Sequence, residues 1–305
     1  MPKILTVIVT YNGMTWLEQC LASVMNSTVP SDLFIVDNGS TDGSVEFIKE
    51  HYPDSNFIQS NENLGFGKAN NLGLSYAVNN DYDYVYLLNQ DAWIEPDTFE
   101  ALIKISIQNP DMAILSPLQM NREKTKLDRN FAGYIPQEMI SDYVAGQTPK
   151  EVYPASFVMA AHWLIPINTL KVVGGFSPIF PHYGEDNNFI DRCFSKNYKI
   201  GIVPKAVGVH DREYRATSIE KRKYLRYIHI LTFLNNPLKR HKALTLLRYL
   251  IIYILRPHLF TPKLWWKSVK AYSESKRISK EYSKPYCFLE VVHQDSPIST
   301  RHPEG

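Results

Sequence analysis

Long hydrophobic runs are missing from this sequence. Nothing in it reaches the ~18 apolar residues that a membrane span requires. The opening MPKILTVIVTYN, with a single Lys and a short apolar stretch, is too brief to read as a signal peptide. Cysteine is scarce, and Cys20, Cys193 and Cys287 show neither metal-ligand spacing nor a disulfide framework, which suits a reducing, cytoplasmic setting. No G-x-G-x-x-G follows the first apolar run and no G-x-x-x-x-G-K-[ST] occurs, so dinucleotide-fold and P-loop readings lose their main support. If phosphates bind, a metal and helix N-termini have to meet their charge. No internal repeat is present.

What is there belongs to a folded chain. Of 305 residues 44% are hydrophobic and 12% aromatic, which excludes a mainly disordered protein. The net charge of +2 conceals an asymmetry: residues 1–211 carry −10, residues 212–284 carry +14 and residues 285–305 carry −2. An acidic globular region therefore bears a basic, aromatic extension, and each needs its own explanation.

Periodicity supplies the architecture. ILTVIVT (4–10), LFIVD (33–37), NFIQS (56–60) and YVYLLN (84–89) read as strands. They alternate with helices over MTWLEQCLASVMNS, VEFIKEHY and GKANNLGLSYAVNN, which predicts an α/β sheet with helices on both faces. In such sheets ligands sit beyond the carboxyl ends of the strands. The polar clusters TYN, DNGSTDGS, NENLGFG and NQD fall at those ends. Pro96 opens a helix over EPDTFEALIKISIQN, residues 117–155 lose periodicity and read as a flap, and SFVMAAHWLIPI resumes as strand. NNFIDRCFS reads as helix, with Asp191 and Arg192 as surface charges, and KIGIV as extended. Beyond residue 217 the pattern is helical, and residues 285–305 read as a flexible tail.

Single residues leave their roles open. Asp37 either caps the turn after its strand or hydrogen-bonds a nucleobase and ribose. Asp91 is either a turn residue or, with carbonyls from Asn89 and Gln90, a hard metal ligand; His210 in VGVHD gains weight only as its partner, and imidazole suits Mn²⁺ or Zn²⁺ better than Mg²⁺. Glu185 and Asp186 either answer a helix dipole or supply a catalytic base. The basic segment RYLIIYILRPHLFTPKLWWK is either a solvated bundle or an interfacial helix, and no motif supports nucleic-acid binding.

Taken together, VTYN, VDNGSTDGS, NENLGFGKANNLG, LLNQDA and GGFSPIFPHYGED with a later His resemble the inverting family-two glycosyltransferases, particularly their bacterial rhamnosyltransferase-like branch, over residues 4–215. The resemblance implies a GT-A fold: a mostly parallel central sheet flanked by helices in residues 1–215, split into a nucleotide-sugar half (1–116) and an acceptor half (117–215); the helical extension over 216–284 is read from the pattern alone. It implies a nucleotide-diphosphate sugar, dTDP-rhamnose or a UDP-sugar, bound by Thr10, Tyr11, Asn12, Asp37, Asn38, Asn63, Gly65, Asn71, Gln90 and Asp91. A divalent metal, Mn²⁺ or Mg²⁺, would sit on Asp91 and His210. Asp186 would be the general base with Glu185 supporting it, acting on a hydroxyl of a glycan or lipid-linked acceptor in bacterial cell-surface polysaccharide synthesis. Contact with the cytoplasmic face of the inner membrane through the basic extension completes that expectation. Asn89 stands where the metal motif has its first Asp, as is common in this branch, and Asn70 and Asn188 also depart from the wider family. Two competing readings, a catalytically silent nucleotide-sugar binder and a sugar nucleotidyltransferase, lack respectively a need for Asp186 with His210 and a Gly-rich basic N-terminal loop.

Overall fold

A computed structural model describes residues 1–211, 218–254 and 262–291. Strand β1 (Ile4–Thr10) consists of Ile, Leu, Val and Thr and is buried at every position but half-buried Val9, because both its faces are covered. It is followed by α1 (Met14–Met25), β2 (Asp32–Asp37), α2 (Ser44–His51), β3 (Asn56–Gln59), α3 (Phe66–Asn79) and β4 (Tyr84–Asn89). Side-chain alternation divides β1 between two cores. Ile4 and Ile8 join Leu17, Leu21 and Val24 of α1 on one face, and Leu5 and Val7 join Ala69, Leu74 and Ala77 of α3 on the other.

The chain then runs through β5 (Ala92–Ile94), α4 (Thr98–Gln108), β6 (Met112–Met120), α5 (Gln137–Val144), β7 (Tyr153–Pro154), β8 (His162–Pro166), α6 (Ile167–Val173), α7 (Glu185–Ser195) and β9 (Lys199–His210). The sheet order is β3-β2-β1-β4-β8-β6-β9-β5, with β7 on β9. Its first four strands are parallel, as the β-α alternation predicts. Beyond β4 the sheet is mixed: β8 is antiparallel to both β4 and β6, and β5 and β7 are antiparallel to β9, while β6 and β9 run parallel. The physical reason is that β5 reverses direction in the tight turn after β4, and β8 returns from a long excursion instead of a helical crossover. That excursion, expected as an irregular flap, is pinned to the core by fully buried Phe131 and Tyr153 and by Met139 of α5.

Helices α8 (Ile219–Asn235), α9 (Lys242–Ile254) and α10 (Pro262–Glu281) form the extension. Ser218 caps α8 by accepting the Lys221 N–H at 3.1 Å. Tyr227, Ile228, Leu231 and Leu234 of α8 build a third, smaller core with Phe180, Leu246 and Ala271. No helix among the described residues is long and apolar enough to cross a membrane. The interfacial stretch read over 248–267 lies partly outside the described residues, at 255–261.

Two expectations need correction. Residues 285–291, read as part of a flexible tail, strap back onto the α/β region: the Tyr286 N–H donates to Lys171 O at 3.1 Å, Gly175 N–H to Cys287 O at 2.8 Å and Glu290 N–H to Ser75 Oγ at 3.0 Å. Residues 292–305 lie outside the described residues. Arg192, read as a surface charge, is buried. Its guanidinium donates to Val173 O and, at 2.6 Å, to Gly175 O, and Phe189, Tyr282 and Phe288 surround it. The glycine turn after α6 leaves these carbonyls outside any ladder, and a buried acceptor needs a donor. The strap that closes over the arginine comes from a distant stretch of sequence, so helical spacing alone could not reveal it.

Candidate active site

Parallel pairing aligns the strand ends. Thr10 stands opposite Asp37, Asp37 opposite Gln59, and Val9 opposite Asn89, so the polar residues after β1 to β4 share one edge. There they hold one another. Gln90 Oε1 accepts the Thr10 hydroxyl at 2.8 Å and the Tyr11 N–H at 2.7 Å, bolting the exit of β1 to that of β4. Asn12, in the left-handed region at φ 49°, accepts the Thr41 N–H at 2.9 Å and gives its own N–H to Ser40 Oγ at 2.9 Å. Asp37 is fully buried and accepts the N–H groups of Gly39 and Ser40, each at 3.0 Å. Asn38 accepts the Leu64 N–H at 3.3 Å and Asn63 the Gly65 N–H at 2.9 Å. Tyr11 is half exposed on this edge. Asn71 lies against the GGF turn. Its amide brackets the backbone of Phe176, accepting from N–H at 2.7 Å and donating to the carbonyl at 2.9 Å, so its observed work is to hold the GGF turn.

Asp91 and His210 meet. The antiparallel register of β5 on β9 sets Ala92 opposite His210, and His210 Nε2 lies 3.3 Å from Asp91 Oδ1. The adjoining Asp211 N–H donates to Asp91 O at 2.8 Å, and the Asp211 carboxylate accepts the Trp16 indole N–H at 3.0 Å. A hard carboxylate oxygen and an imidazole nitrogen brought together form a donor pair of the kind that can hold a divalent metal. No cluster of three or more His, Cys, Asp or Glu ligands occurs among the described residues. Behind this corner His162 is buried and neutral. Its Nε2–H donates to Val209 O at 3.0 Å and its Nδ1 accepts the Tyr86 hydroxyl at 2.8 Å. Burial, reinforced by neighbouring His210, pushes its pKa down to about 3.

The second corner is the start of α7. Tyr183 (φ 65°) and Gly184 (φ 87°) turn the chain sharply into the helix. A Cβ on Gly184 would lie 2.8 Å from Thr232 Oγ1 and 2.9 Å from Ile228 Cγ2, so α8 packs on this turn only because the residue is glycine. Glu185 is buried, and its Oε2 has no hydrogen-bond partner. Burial pushes its carboxyl up to about 7, outweighing the main-chain N–H groups of Glu185 and Tyr183, and the charge of Asp186 acts in the same direction. Asp186 is half-buried and accepts the Asn187 N–H at 2.7 Å. The two halves touch here: a Cβ on Gly65 (φ 77°) would lie 2.8 Å from Pro181 O, and one on Gly67 3.8 Å from Glu185 Cβ.

The sequence reading missed Asp42, Asp211 and His162. Asp42 accepts the Met14 N–H at 3.0 Å, capping the first turn of α1 from a neighbouring loop. Its signal was the S-T-D-G-S turn; Asp211 and His162 had no signal, because only the pairing of β5 and β8 places them.

This mixed sheet, with its polar groups gathered on one edge, is the GT-A arrangement. The UDP complex of residues 1–349 of S. aureus TarS shares it, with a TM-score of 0.54 and 16% identity over 79% of this chain and 68% of that one. Residues 6–159 match the family model described as glycosyl transferase family 2, and residues 84–273 match that described as glycosyl transferase family group 2. The chain belongs to glycosyl transferase family 2. It is similar to the N-acetylglucosaminyl-diphospho-decaprenol L-rhamnosyltransferase of Mycobacterium tuberculosis, 25% identical over 232 residues, covering 68% of this chain and 76% of the relative. It is also similar to the glycosyltransferase EpsH of Bacillus subtilis, 29% identical over 116 residues, or 37% of this chain. The chain spans 33% of the length of EpsH.

Proposed function

We propose that this chain is an inverting glycosyltransferase that moves a sugar from a nucleoside-diphosphate donor to a hydroxyl of a saccharide or lipid-linked acceptor. The observation that carries the reading is the meeting of Asp91 and His210 on the edge where Thr10, Asp37 and Gln90 are gathered. The bound UDP of the TarS neighbour and the name of the mycobacterial rhamnosyltransferase support a UDP- or dTDP-sugar as donor and a lipid-linked saccharide as acceptor.

In this reading Asp186 accepts the proton of the acceptor hydroxyl. The freed oxygen bonds to the anomeric carbon from the face opposite the leaving diphosphate; the bond to the diphosphate breaks, its electron pair leaves with that group, and configuration inverts. Burial leaves the Glu185 carboxyl about half protonated at neutrality beside Asp186, which lessens the second negative charge next to the base. Asp91 and His210 would hold a divalent metal, Mn²⁺ or Mg²⁺, which when bound supplies Lewis-acid stabilisation of charge on the diphosphate. Leu244, Leu247 and Ile251 of α9, each about half exposed at 49–51%, lie along one face amid Lys242 and Arg248. They support contact with an anionic membrane surface.

The test is incubation with UDP-, dTDP- and GDP-sugars and Mn²⁺, following release of nucleoside diphosphate. Acceptor-dependent release that falls in the Asp91→Ala protein supports the reading; no release with any donor returns the chain to the silent-binder class. For the membrane contact, flotation with anionic vesicles should be lost in a Leu247→Glu protein, and equal flotation would remove it.

A further inference from the structure

The loop that follows β6 reaches the Asp91–His210 corner, and no role assigned so far uses it. Met120 is in register with Val209 of β9, and a bridge between Met120 and Leu127 closes the intervening loop. Asn121 braces it internally, its side-chain oxygen accepting the N–H groups of Thr125 at 3.0 Å and Lys126 at 2.9 Å. From this loop Arg122 NH1 donates to Asp211 Oδ2 at 2.7 Å. The same carboxylate receives the Trp16 indole, and the Asp211 N–H is bonded to Asp91 O. Arg122 is thus fastened one residue from His210 through a carboxylate that is itself fastened to α1 and to Asp91. Its side chain is nevertheless 57% exposed. Asp211 occupies one face of the guanidinium fork, which has five N–H donors in all.

Charge explains what the rest of the fork is for. Asp91 and Asp211 place two carboxylates at one corner. A divalent cation there is balanced by those two charges before a nucleoside-diphosphate sugar arrives with about two more, one on each phosphate. The negative charge on the distal phosphate grows further as its bond to the sugar breaks. A planar guanidinium can meet phosphate oxygens through paired N–H bonds, which an ammonium cannot do. Lys124, on the same loop, is drawn away to Glu95 at 2.9 Å. We infer that Arg122, positioned by Asp211, is a binding residue for the diphosphate of the donor. This rests on the nucleoside-diphosphate donor proposed above.

The experiment is isothermal titration of the full chain with UDP and with UMP in the presence of Mn²⁺, dTDP and TMP being run in parallel. Arg122→Gln should weaken nucleoside-diphosphate binding about tenfold or more, the worth of a charge-assisted hydrogen bond, while monophosphate binding changes by less than about twofold. Arg122→Lys should fall between wild type and Arg122→Gln, and Lys124→Gln on the same loop should match wild type. Because Arg122 is exposed, all three proteins should melt with the wild type. Unchanged diphosphate affinity in Arg122→Gln overturns the assignment, and so does an equal loss for the monophosphate. If the wild-type protein binds neither UDP nor dTDP, the donor reading itself falls and this inference falls with it. The two failures are therefore told apart by the wild-type titration.

Discussion

Along the ends of β1, β2 and β4 the polar groups answer one another: Gln90 serves Thr10 and Tyr11, Asn12 serves Thr41, and Asp37 serves its own turn. At the start of α7 the opposite holds. There Glu185 keeps a buried oxygen without a donor, its carboxyl pushed up to about 7, next to a half-buried Asp186 and behind two residues in the left-handed region. A satisfied rim is rigid and presents a fixed shape, which suits recognition. A rim with an unmet buried polar group stores free energy, and such groups gather where chemistry is done. In the proposed function the contrast divides the labour between a cradle that would bind and a corner that would react.

That division can be broken most severely at Asp186. Replacing it with Asn should lower transfer by about 10²–10⁴-fold while leaving nucleoside-diphosphate affinity and melting temperature near wild type. Retained turnover in a steady-state assay would take the base role from Asp186. On the binding rim the expected effect is smaller and of another kind. Gln90→Ala strands the Thr10 hydroxyl and Tyr11 N–H, and should cost about 1–3 kcal/mol of stability with loss of nucleotide affinity. A urea melt that matches wild type would show that the rim is not held this way.

Glu185→Gln sharpens the comparison through pH. The folded carboxyl is raised from 4.5 to about 7, so the folded state binds the proton more tightly than the unfolded one. Its stabilising contribution is therefore full below pH ~4.5 and is lost as the pH rises to about 7. Glu185→Gln abolishes this loss, so its stability relative to wild type should grow across that interval, by on the order of 2–3 kcal/mol. Parallel melting curves at pH 5 and pH 8 would show that Glu185 carries no such shift.

Local pattern went far in the first half of the chain. Strands such as ILTVIVT are buried on both faces and show it as runs of apolar and β-branched residues, and their polar exits TYN, DNGS and NQD announce an edge. The pairing of Asp91 with His210 was open from residue chemistry alone and became an expectation through a resemblance. No periodicity marks AWI as a strand, because three residues are too few for alternation to show. Arg192 failed as a surface charge for a similar reason: α7 looks amphipathic by itself, and only the returning strap buries its polar side. The exposed loop carrying Arg122 has no pattern at all.

By itself the sequence determined the alternation of strands and helices, the edge on which polar residues collect and the acidic-to-basic change near residue 212, since these depend on neighbours within a few residues. The tertiary structure alone decided that β5 lies against β9, that Asp211 ties Trp16 to Arg122, and that Glu185 is sealed from water. Those outcomes depend on register between segments far apart in the chain, where shifting a strand by one residue would turn every side chain to the other face.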